Sequence, residues 1–201
     1  RRWNEQTLTL GANLRRTLGD VLHFNVTGEL AVLGDDIGEF RLEGNGDLNF
    51  RLLGDTVRLA FNGFMTNLEP SFYYNHYHSQ HFWWDNDFSK EFRTHVGGSL
   101  SFDRLHTRLS VGMENIKNYT YLAFSGYGEQ MTSGSTRFYN DIAPRQYSGN
   151  IQVLSATLNQ DFALGILHWD NEVTAQYSSR DDILPLPLVN VYSNLYLKFT
   201  Y

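Results

Sequence analysis

The chain has 201 residues, of which 19% are charged and 15% aromatic, and its formal net charge is −6 at pH 7. The lack of cysteine excludes disulfides and thiolate metal sites, and the acidic balance argues against nucleic acid as a partner. No apolar run reaches the roughly 18 residues of a transmembrane helix, and no signal-peptide pattern is visible at Arg1. The mean hydropathy of −0.40 fits a soluble protein, but it also fits a β-barrel with a polar interior, because only half of each barrel strand is apolar.

The first half of the chain alternates between apolar and polar residues. Residues 7–14, 22–33 and 57–66 follow this pattern, and residues 39–52 follow it most completely, with apolar residues or glycine at every even position. Successive side chains of a β-strand point to opposite faces, so each segment predicts a strand with one apolar and one polar face. Residues 39–52 also exceed the 5–6 residues usual in soluble proteins and reach the roughly 9–11 of a tilted membrane-spanning strand.

The second half of the chain continues the alternation. It predicts strands over 82–102, 109–121, 154–162, 167–177 and 191–201, which brings the total to about nine. Leu109 and Tyr119 are predicted on the apolar face of the sixth strand, where Ile116 and Leu122 fall irregularly on the polar side. Residues 124–149 are rich in Gly, Ser, Thr, Tyr and Asn and are predicted to be a loop. No segment has a convincing helical period.

The predicted connections differ between the two ends of the sheet. Those after strands one, three, five and seven are short, whereas those after strands four, six and eight are longer. This asymmetry is typical of outer-membrane barrels. The sequence therefore predicts an all-β protein, an antiparallel transmembrane β-barrel, in preference to a soluble sandwich or lipocalin-like barrel. Single-chain bacterial barrels have an even number of strands. Residues 1–201 are thus expected to form one incomplete outer-membrane barrel domain, a nine-strand portion of a larger barrel.

Five segments of the chain carry a resemblance to a known family. They are Tyr73-Tyr74-Asn75-His76-Tyr77, His81-Phe82-Trp83-Trp84-Asp85-Asn86-Asp87-Phe88, Glu114-Asn115-Ile116-Lys117-Asn118-Tyr119, Leu154-Ser155-Ala156-Thr157-Leu158-Asn159-Gln160-Asp161-Phe162 and Leu184-Pro185-Leu186-Pro187. These motifs resemble the putative porin family of Bacteroidota outer membranes. The resemblance covers most of the chain from about Leu22 onward, and it implies a β-barrel in a chain longer than 201 residues.

Two side-chain groups suggest chemistry that we do not expect the protein to perform. His76, His78 and His81 suggest a divalent metal, but the loop lacks a fourth ligand at a defined spacing. His95 and Ser99 share the polar face, yet four residues of strand separate them by about 13 Å, too far for a nucleophile and its base. We therefore predict no metal site, no cofactor and no enzyme activity.

The charged residues of the polar face are the predicted functional residues. In a wide barrel they would line water and set ion preference, which predicts a porin-like outer-membrane channel for passive diffusion of small hydrophilic solutes. The alternative is a non-conducting barrel subunit of an envelope complex, in which charges would pair across strands. Expected partners are outer-membrane lipid, small hydrophilic solutes and, in the alternative, other envelope proteins. The pore-lining candidates are Arg41, Glu43, Asp47, Arg51, Arg58, Glu91, Arg93, Arg108, Glu114, Asp161 and Glu172.

Overall fold

A computed structural model describes residues 6–17, 19, 22–52, 55–124, 126–130, 132–139 and 142–199. The described residues form thirteen strands and one helical turn. In chain order these are β1 (Thr7–Arg16), β2 (Leu22–Gly34), β3 (Phe40–Leu52), β4 (Asp55–Leu68), α1 (Phe72–Asn75), β5 (His76–His78), β6 (Trp83–Asp85), β7 (Glu91–Phe102), β8 (Thr107–Phe124), β9 (Tyr127–Gln130), β10 (Thr136–Tyr139), β11 (Ile142–Leu164), β12 (Leu167–Ser178) and β13 (Val189–Leu197).

Nine of these strands form one antiparallel sheet, in which each strand pairs with the next of these nine along the chain. Its order is β1-β2-β3-β4-β7-β8-β11-β12-β13. The two remaining pairs, β5 with β6 and β9 with β10, are separate two-stranded hairpins. Among the described strands, β1 and β13 each pair on one side only, so the sheet is not closed. The all-β prediction is confirmed, and the sheet is consistent with a portion of a porin-like barrel.

One face of the sheet is apolar across almost its whole width, and the strand register produces this face. Eight neighbouring strands place an aliphatic residue in a single row of directly paired positions. Several side chains of this row are exposed, among them Leu59, Leu158 and Val191, whose exposed fractions are 38%, 44% and 63%. We call this side of the sheet the outer face. The row consists of Leu22, Leu48, Leu59, Leu100, Leu109, Leu158, Val173 and Val191.

Burial is sparse because the molecule is essentially one sheet thick. Among the described residues, the only buried hydrophobic side chains are Ala31, Val57, Ile116 and Ile151. Ile116 and Ile151 pair directly across β8 and β11. A soluble sandwich would bury one full face of each sheet against the other, so this pattern favours an apolar face that needs a non-aqueous surrounding.

The two ends of the sheet differ as predicted. At one end, which we call the turn end, β7 joins β8 through 103–106 and β11 joins β12 through 165–166. At the other, the loop end, the connections include 69–90 and 179–188, together with the short turn 35–38. The single helical turn among the described residues, α1, is not long enough to cross a membrane.

Two predicted boundaries are wrong. The predicted strand 82–102 is interrupted at 86–90, where the Phe88 and Ser89 amides donate to the side chains of Asn75 and Gln146 instead of to a neighbouring strand. The predicted loop 124–149 instead contains β9, β10 and the start of β11, because β8 and β11 remain paired as far as Phe124 and Ile142. The final residues of the predicted strand 191–201, Thr200 and Tyr201, lie outside the described part of the chain.

An irregularity in the pairing of β8 with β11 changes which face the following β8 residues occupy, since residues 148 and 149 of β11 stand opposite the single Asn118 of β8. Asn118 has a positive φ of 60°, and the β8–β11 register shifts between Tyr147 and Asn150. An extra residue in one strand reverses the alternation beyond it. Tyr119 therefore lies beside the Arg93 guanidinium on the polar side, and its predicted position on the apolar face is wrong.

Candidate functional site

All the predicted pore-lining residues lie on the face opposite the outer face, which we call the polar face. Alternation along the paired strands requires this placement, since each candidate is an odd number of positions away from an outer-face residue of its strand, as Arg58 is from Leu59. The placement makes a shared wall but does not by itself bring all candidates together. They divide into a group near the loop end and a group near the turn end.

The loop-end cluster consists of Arg41, Glu43, Glu91, Arg93 and Glu114. Arg93 pairs with Glu91 on its own strand, and its Nη1 lies 3.5 Å from Glu114 Oε1 on β8. Arg41 Nε lies 3.6 Å from Glu43 Oε1. Both guanidinium groups therefore face carboxylates, so the local charge is largely balanced.

The turn-end group is linked through neutral polar side chains. Asn49 donates to the Asp47 carboxylate at 3.0 Å and accepts from Arg58 Nε at 3.0 Å. On the same face, nearer the other edge of the sheet, Glu172 accepts from Asn159 Nδ2 at 2.7 Å. Each of these two asparagine side chains thus bonds a charged residue of the neighbouring strand, which fixes the charged side chain against the polar face.

Two of the three remaining turn-end candidates line a shallow cavity of about 480 Å³, to which Asn159 and Glu172 also contribute. Arg108 lines it and donates through Nε to Ser101 Oγ at 3.1 Å, and Asp161 lines it from β11. Arg51 lies on β3 and pairs in register with Thr56, outside this cavity.

A neutral belt separates the two charged groups. Asn45, Asn62, Gly97, Gly112 and Ser155 occupy directly paired positions on five neighbouring strands. None of these residues carries a formal charge. The polar face therefore presents charged, neutral and charged layers in turn along the strands.

The connection 69–90, which we call the insert, covers part of the polar face at the loop end. Gln146 on β11 forms two hydrogen bonds with the Ser89 backbone, of 3.1 Å to the amide and 2.7 Å to the carbonyl. In the opposite direction, Lys90 Nζ donates to the Ile37 carbonyl in the turn between β2 and β3 at 2.8 Å. The end of the insert is therefore fixed both to β11 and to the turn between β2 and β3.

The cavity beneath the insert contains residues that the sequence analysis missed. Its volume is about 500 Å³, and Phe64, Thr66, Tyr74 and Tyr119 line it together with every member of the loop-end cluster except Glu114. Phe64 occupies a polar-face position of a regular strand, and this exception to the alternation was a usable signal. The position of Tyr74 at the cavity could not be predicted from the sequence, because it depends on how the insert folds back over the sheet.

The outer face also contains polar residues that the sequence analysis did not single out. Thr107, Gln160, Asn171 and Ser193 pair in register across four neighbouring strands. Thr107 donates to Gln160, Ser193 donates to Asn171 Oδ1 at 2.8 Å, and Trp169 Nε1 donates to Ser193 at 2.8 Å. These mutual hydrogen bonds satisfy polar groups on a face that is mainly apolar.

The histidines considered as metal ligands lie in the β5–β6 hairpin. His76 Nδ1 and His78 Nε2 lie 2.9 Å and 3.0 Å from the same Asp85 oxygen. The hydrogen bond from His76 is the largest cause of a lowered pKa of Asp85; desolvation opposes it, and the bond from His78 adds to it. The His78 ring stacks on Trp83 at 3.7 Å between centroids. This stacking and the two hydrogen bonds to Asp85 stabilise the hairpin.

Among the described residues, the three carboxylates of Asp36, Glu39 and Glu69 approach within 4.8 Å of one another. Desolvation is the largest cause of a raised pKa of Glu69, and the charge of Lys90 opposes it. Lys90 Nζ lies 3.9 Å from Glu69 Oε1. The Lys90 ammonium is therefore the positive charge that this acidic group faces.

Comparison with known proteins identifies a family. The model of a family described as "Putative porin" matches residues 1–201, the whole chain. A search of curated proteins and a search of solved structures each found no match. Because the family model covers the full length given, the chain belongs to this family.

Proposed function

We propose that this member of the putative porin family contributes to an outer-membrane channel for the passive diffusion of small hydrophilic solutes. The observation that carries the proposal is the two-sided sheet. Its outer face exposes aliphatic side chains in one continuous row, and its opposite face carries paired charges separated by neutral polar residues. An apolar band toward lipid and a polar wall toward water are the two surfaces that a membrane channel of strands requires.

The proposed mechanism is diffusion through water along the polar face. The candidate residues comprise five arginines and six carboxylates, so the wall has a slight acidic excess. Rings of charged side chains set ion preference in such pores. Because most of these charges have a partner of opposite sign or a neutral polar neighbour, the expected preference for cations is modest.

The test is conductance of the native protein in planar lipid bilayers. We expect discrete ion-conducting steps and a small reversal potential in a salt gradient, with the sign of cation preference. A well-folded preparation that never conducts would reject the channel function.

The second candidate is a non-conducting barrel subunit of an envelope complex. The insert favours it, because the insert covers part of the polar face at the loop end. The same bilayer experiment separates the two functions, since only the channel predicts conductance.

A further inference from the structure

The cavity between the insert and the sheet has the size and lining of a small-molecule site. Its volume of about 500 Å³ falls within the roughly 300–1,000 Å³ of typical ligand pockets. Strands β3, β4, β7 and β8 provide its wall, and Pro70, Ser71 and Tyr74 of the insert provide its cover. Thr66 on the wall is only 8% exposed, whereas the Glu43 side chain at the margin is 56% exposed, so a molecule held here would leave bulk water on its wall side and stay accessible at the margin.

The charges in this cavity favour a ligand without net charge. Arg41 is paired with Glu43, and Arg93 is held by Glu91 and Glu114. Neither guanidinium is left to neutralise an anion, and Glu69 adds a further carboxylate to the lining. Lys90 Nζ lies 3.9 Å from Glu69 Oε1, so three cationic groups face four carboxylates. The field of the site is therefore only weakly negative, and a phosphate or carboxylate ligand would meet nearby carboxylates.

The paired charges still provide many hydrogen-bonding positions. A guanidinium has five N–H donors and a carboxylate has several acceptor positions, so one ion pair leaves donors and acceptors open side by side. A hydroxyl group both donates and accepts, and it can use such a pair without changing its charge balance. Several hydroxyl groups on one rigid ring would suit the alternating carboxylates and guanidinium groups of this wall.

Aromatic side chains supply the other half of the recognition. Phe64, Tyr74 and Tyr119 all line the cavity. The Tyr119 ring lies 5.9 Å from the Arg93 guanidinium carbon, and the Phe64 ring stacks on His95 at 5.2 Å, so both wall rings are held in place. Tyrosine combines a large apolar surface with a polar tip, which suits a ligand that has C–H groups on one face and hydroxyl groups at its edge.

We propose that this cavity is a binding subsite for a neutral polyhydroxylated solute, such as a sugar ring. The inference deepens the channel function and rests on it for the route by which the solute arrives. In that setting the subsite would hold one class of solute at the loop end before it passes along the polar face.

Calorimetric titration of the native protein tests the proposal, in a detergent without a sugar headgroup. The probes are maltotriose, the anion gluconate and the cation glucosamine. We expect maltotriose to bind with a dissociation constant of about 1 mM and both charged probes to bind at least several-fold more weakly. No binding of maltotriose, or tighter binding of gluconate, would overturn the proposal.

Two tyrosines of the insert provide a matched pair of variants. Tyr74 lines the cavity, whereas the adjacent Tyr73 is 67% exposed and is not among the lining residues. Tyr74→Ala should weaken maltotriose binding at least tenfold, and Tyr73→Ala should change it less than twofold. Equal effects of the two substitutions would contradict the assigned location.

A charge variant tests the same site without removing an aromatic ring. The Glu43 side chain is 56% exposed, so Glu43→Gln should fold normally. It removes the carboxylate that faces Arg41, and gluconate should then gain affinity relative to maltotriose. An unchanged ratio would count against the role of the paired charges.

Bilayer conductance distinguishes failure of this proposal from failure of the channel function. Conductance without maltotriose binding rejects the subsite and keeps the channel. Maltotriose binding without conductance rejects the channel and keeps the subsite.

Discussion

At the scale of single residues, a glycine in β3 shows how an aromatic side chain of the neighbouring strand can fill the space beside a residue that has no side chain. Gly44 and Gly46 lie mid-strand, where glycine normally weakens a sheet. Gly46 is nevertheless buried, because the ring of Phe61 on the paired strand lies against it. Covering a strand glycine with a neighbouring aromatic ring is a known way of stabilising a sheet at such a position.

This arrangement predicts opposite outcomes for two similar substitutions. A methyl group at Gly46 would overlap the tip of the Phe61 ring and lie 2.9 Å from the His23 carbonyl oxygen, whereas one at Gly44 would lie 3.8 Å from Val26 Cγ2. Gly46→Ala should reduce the free energy of unfolding by about 1–3 kcal/mol through overpacking. Gly44→Ala should be neutral or stabilising by up to about 1 kcal/mol. Urea unfolding in lipid vesicles measures both, and equal values would contradict the account.

The Asp85 carboxylate predicts a pH dependence of the β5–β6 hairpin. Its pKa is lowered from 3.8 in the folded state, mainly by the hydrogen bond from His76. A lowered folded-state pKa contributes stability that is fully present above the unfolded value and is lost as the pH falls through the folded value. Amide exchange protection of residues 76–85 should therefore fall only below about pH 4.

Asp85→Asn is the control for this pH dependence. It removes the carboxylate that accepts from both histidines, so protection should be lower at neutral pH and should show no step in the acid range. Wild-type protection at neutral pH in this variant would show that the carboxylate does not hold the hairpin.

At the scale of elements, one glutamine of β11 makes several of the contacts that hold the end of the insert. The Gln146 side chain bonds the amide and carbonyl of Ser89 and also lies 3.2 Å from Thr120 Oγ1. A net value of about 1 kcal/mol per hydrogen bond makes this contact a substantial part of what holds 86–90 against β8 and β11.

Gln146→Ala should therefore release this part of the insert. Amide exchange at residues 86–90 should accelerate by at least tenfold, whereas the sheet should keep its protection. The matched control is Gln152→Ala on the same strand, because Gln152 bonds Ser179 through its backbone and its side chain is exposed. If both variants exchange alike, Gln146 does not anchor the insert.

The same elements show which parts of the structure the sequence could predict. Alternation identified the apolar and polar faces of the sheet, since the period of two is a local property of a strand. It failed at Tyr119, because the irregular pairing of Asn118 with residues 148 and 149 of β11 has no clear sequence signal and reverses the faces of β8 beyond it. It also failed at 86–90, because the Ser89–Gln146 contact joins residues 57 positions apart.

The candidate site follows the same division. The charged residues of the polar face were identifiable one by one, because each follows from its place in a strand. The cavity was not, since Tyr74 reaches it only through the folding of the insert. The pairing of charges at the cavity was not identifiable either, because the contact of Arg93 with Glu114 requires the register of β7 and β8.

At the scale of the whole molecule, the question is what surrounds the outer face. Leu158 and Asn159 are neighbours on β11, yet Leu158 is 44% exposed in the aliphatic row, whereas Asn159 bonds Glu172 on the polar face. If lipid surrounds the outer face, an arginine near the bilayer midplane costs about 2–4 kcal/mol. Leu158→Arg should therefore sharply reduce the folded, heat-modifiable protein, and Asn159→Arg should be tolerated beside the Glu172 carboxylate.

Stability alone cannot identify the surroundings, because a soluble sandwich would also be damaged by Leu158→Arg. Single cysteines can, since the chain has none of its own. Cysteines at Leu48 and Leu158 should react with a lipid-phase probe in vesicles and resist a water-soluble maleimide. Cysteines at Asn49 and Asn159 should show the reverse, because these side chains lie on the polar face. Two distant strands are tested, so the result does not depend on one turn. If Leu48 and Leu158 are shielded from both lipid and water, the outer face packs against protein, and the membrane assignment is wrong.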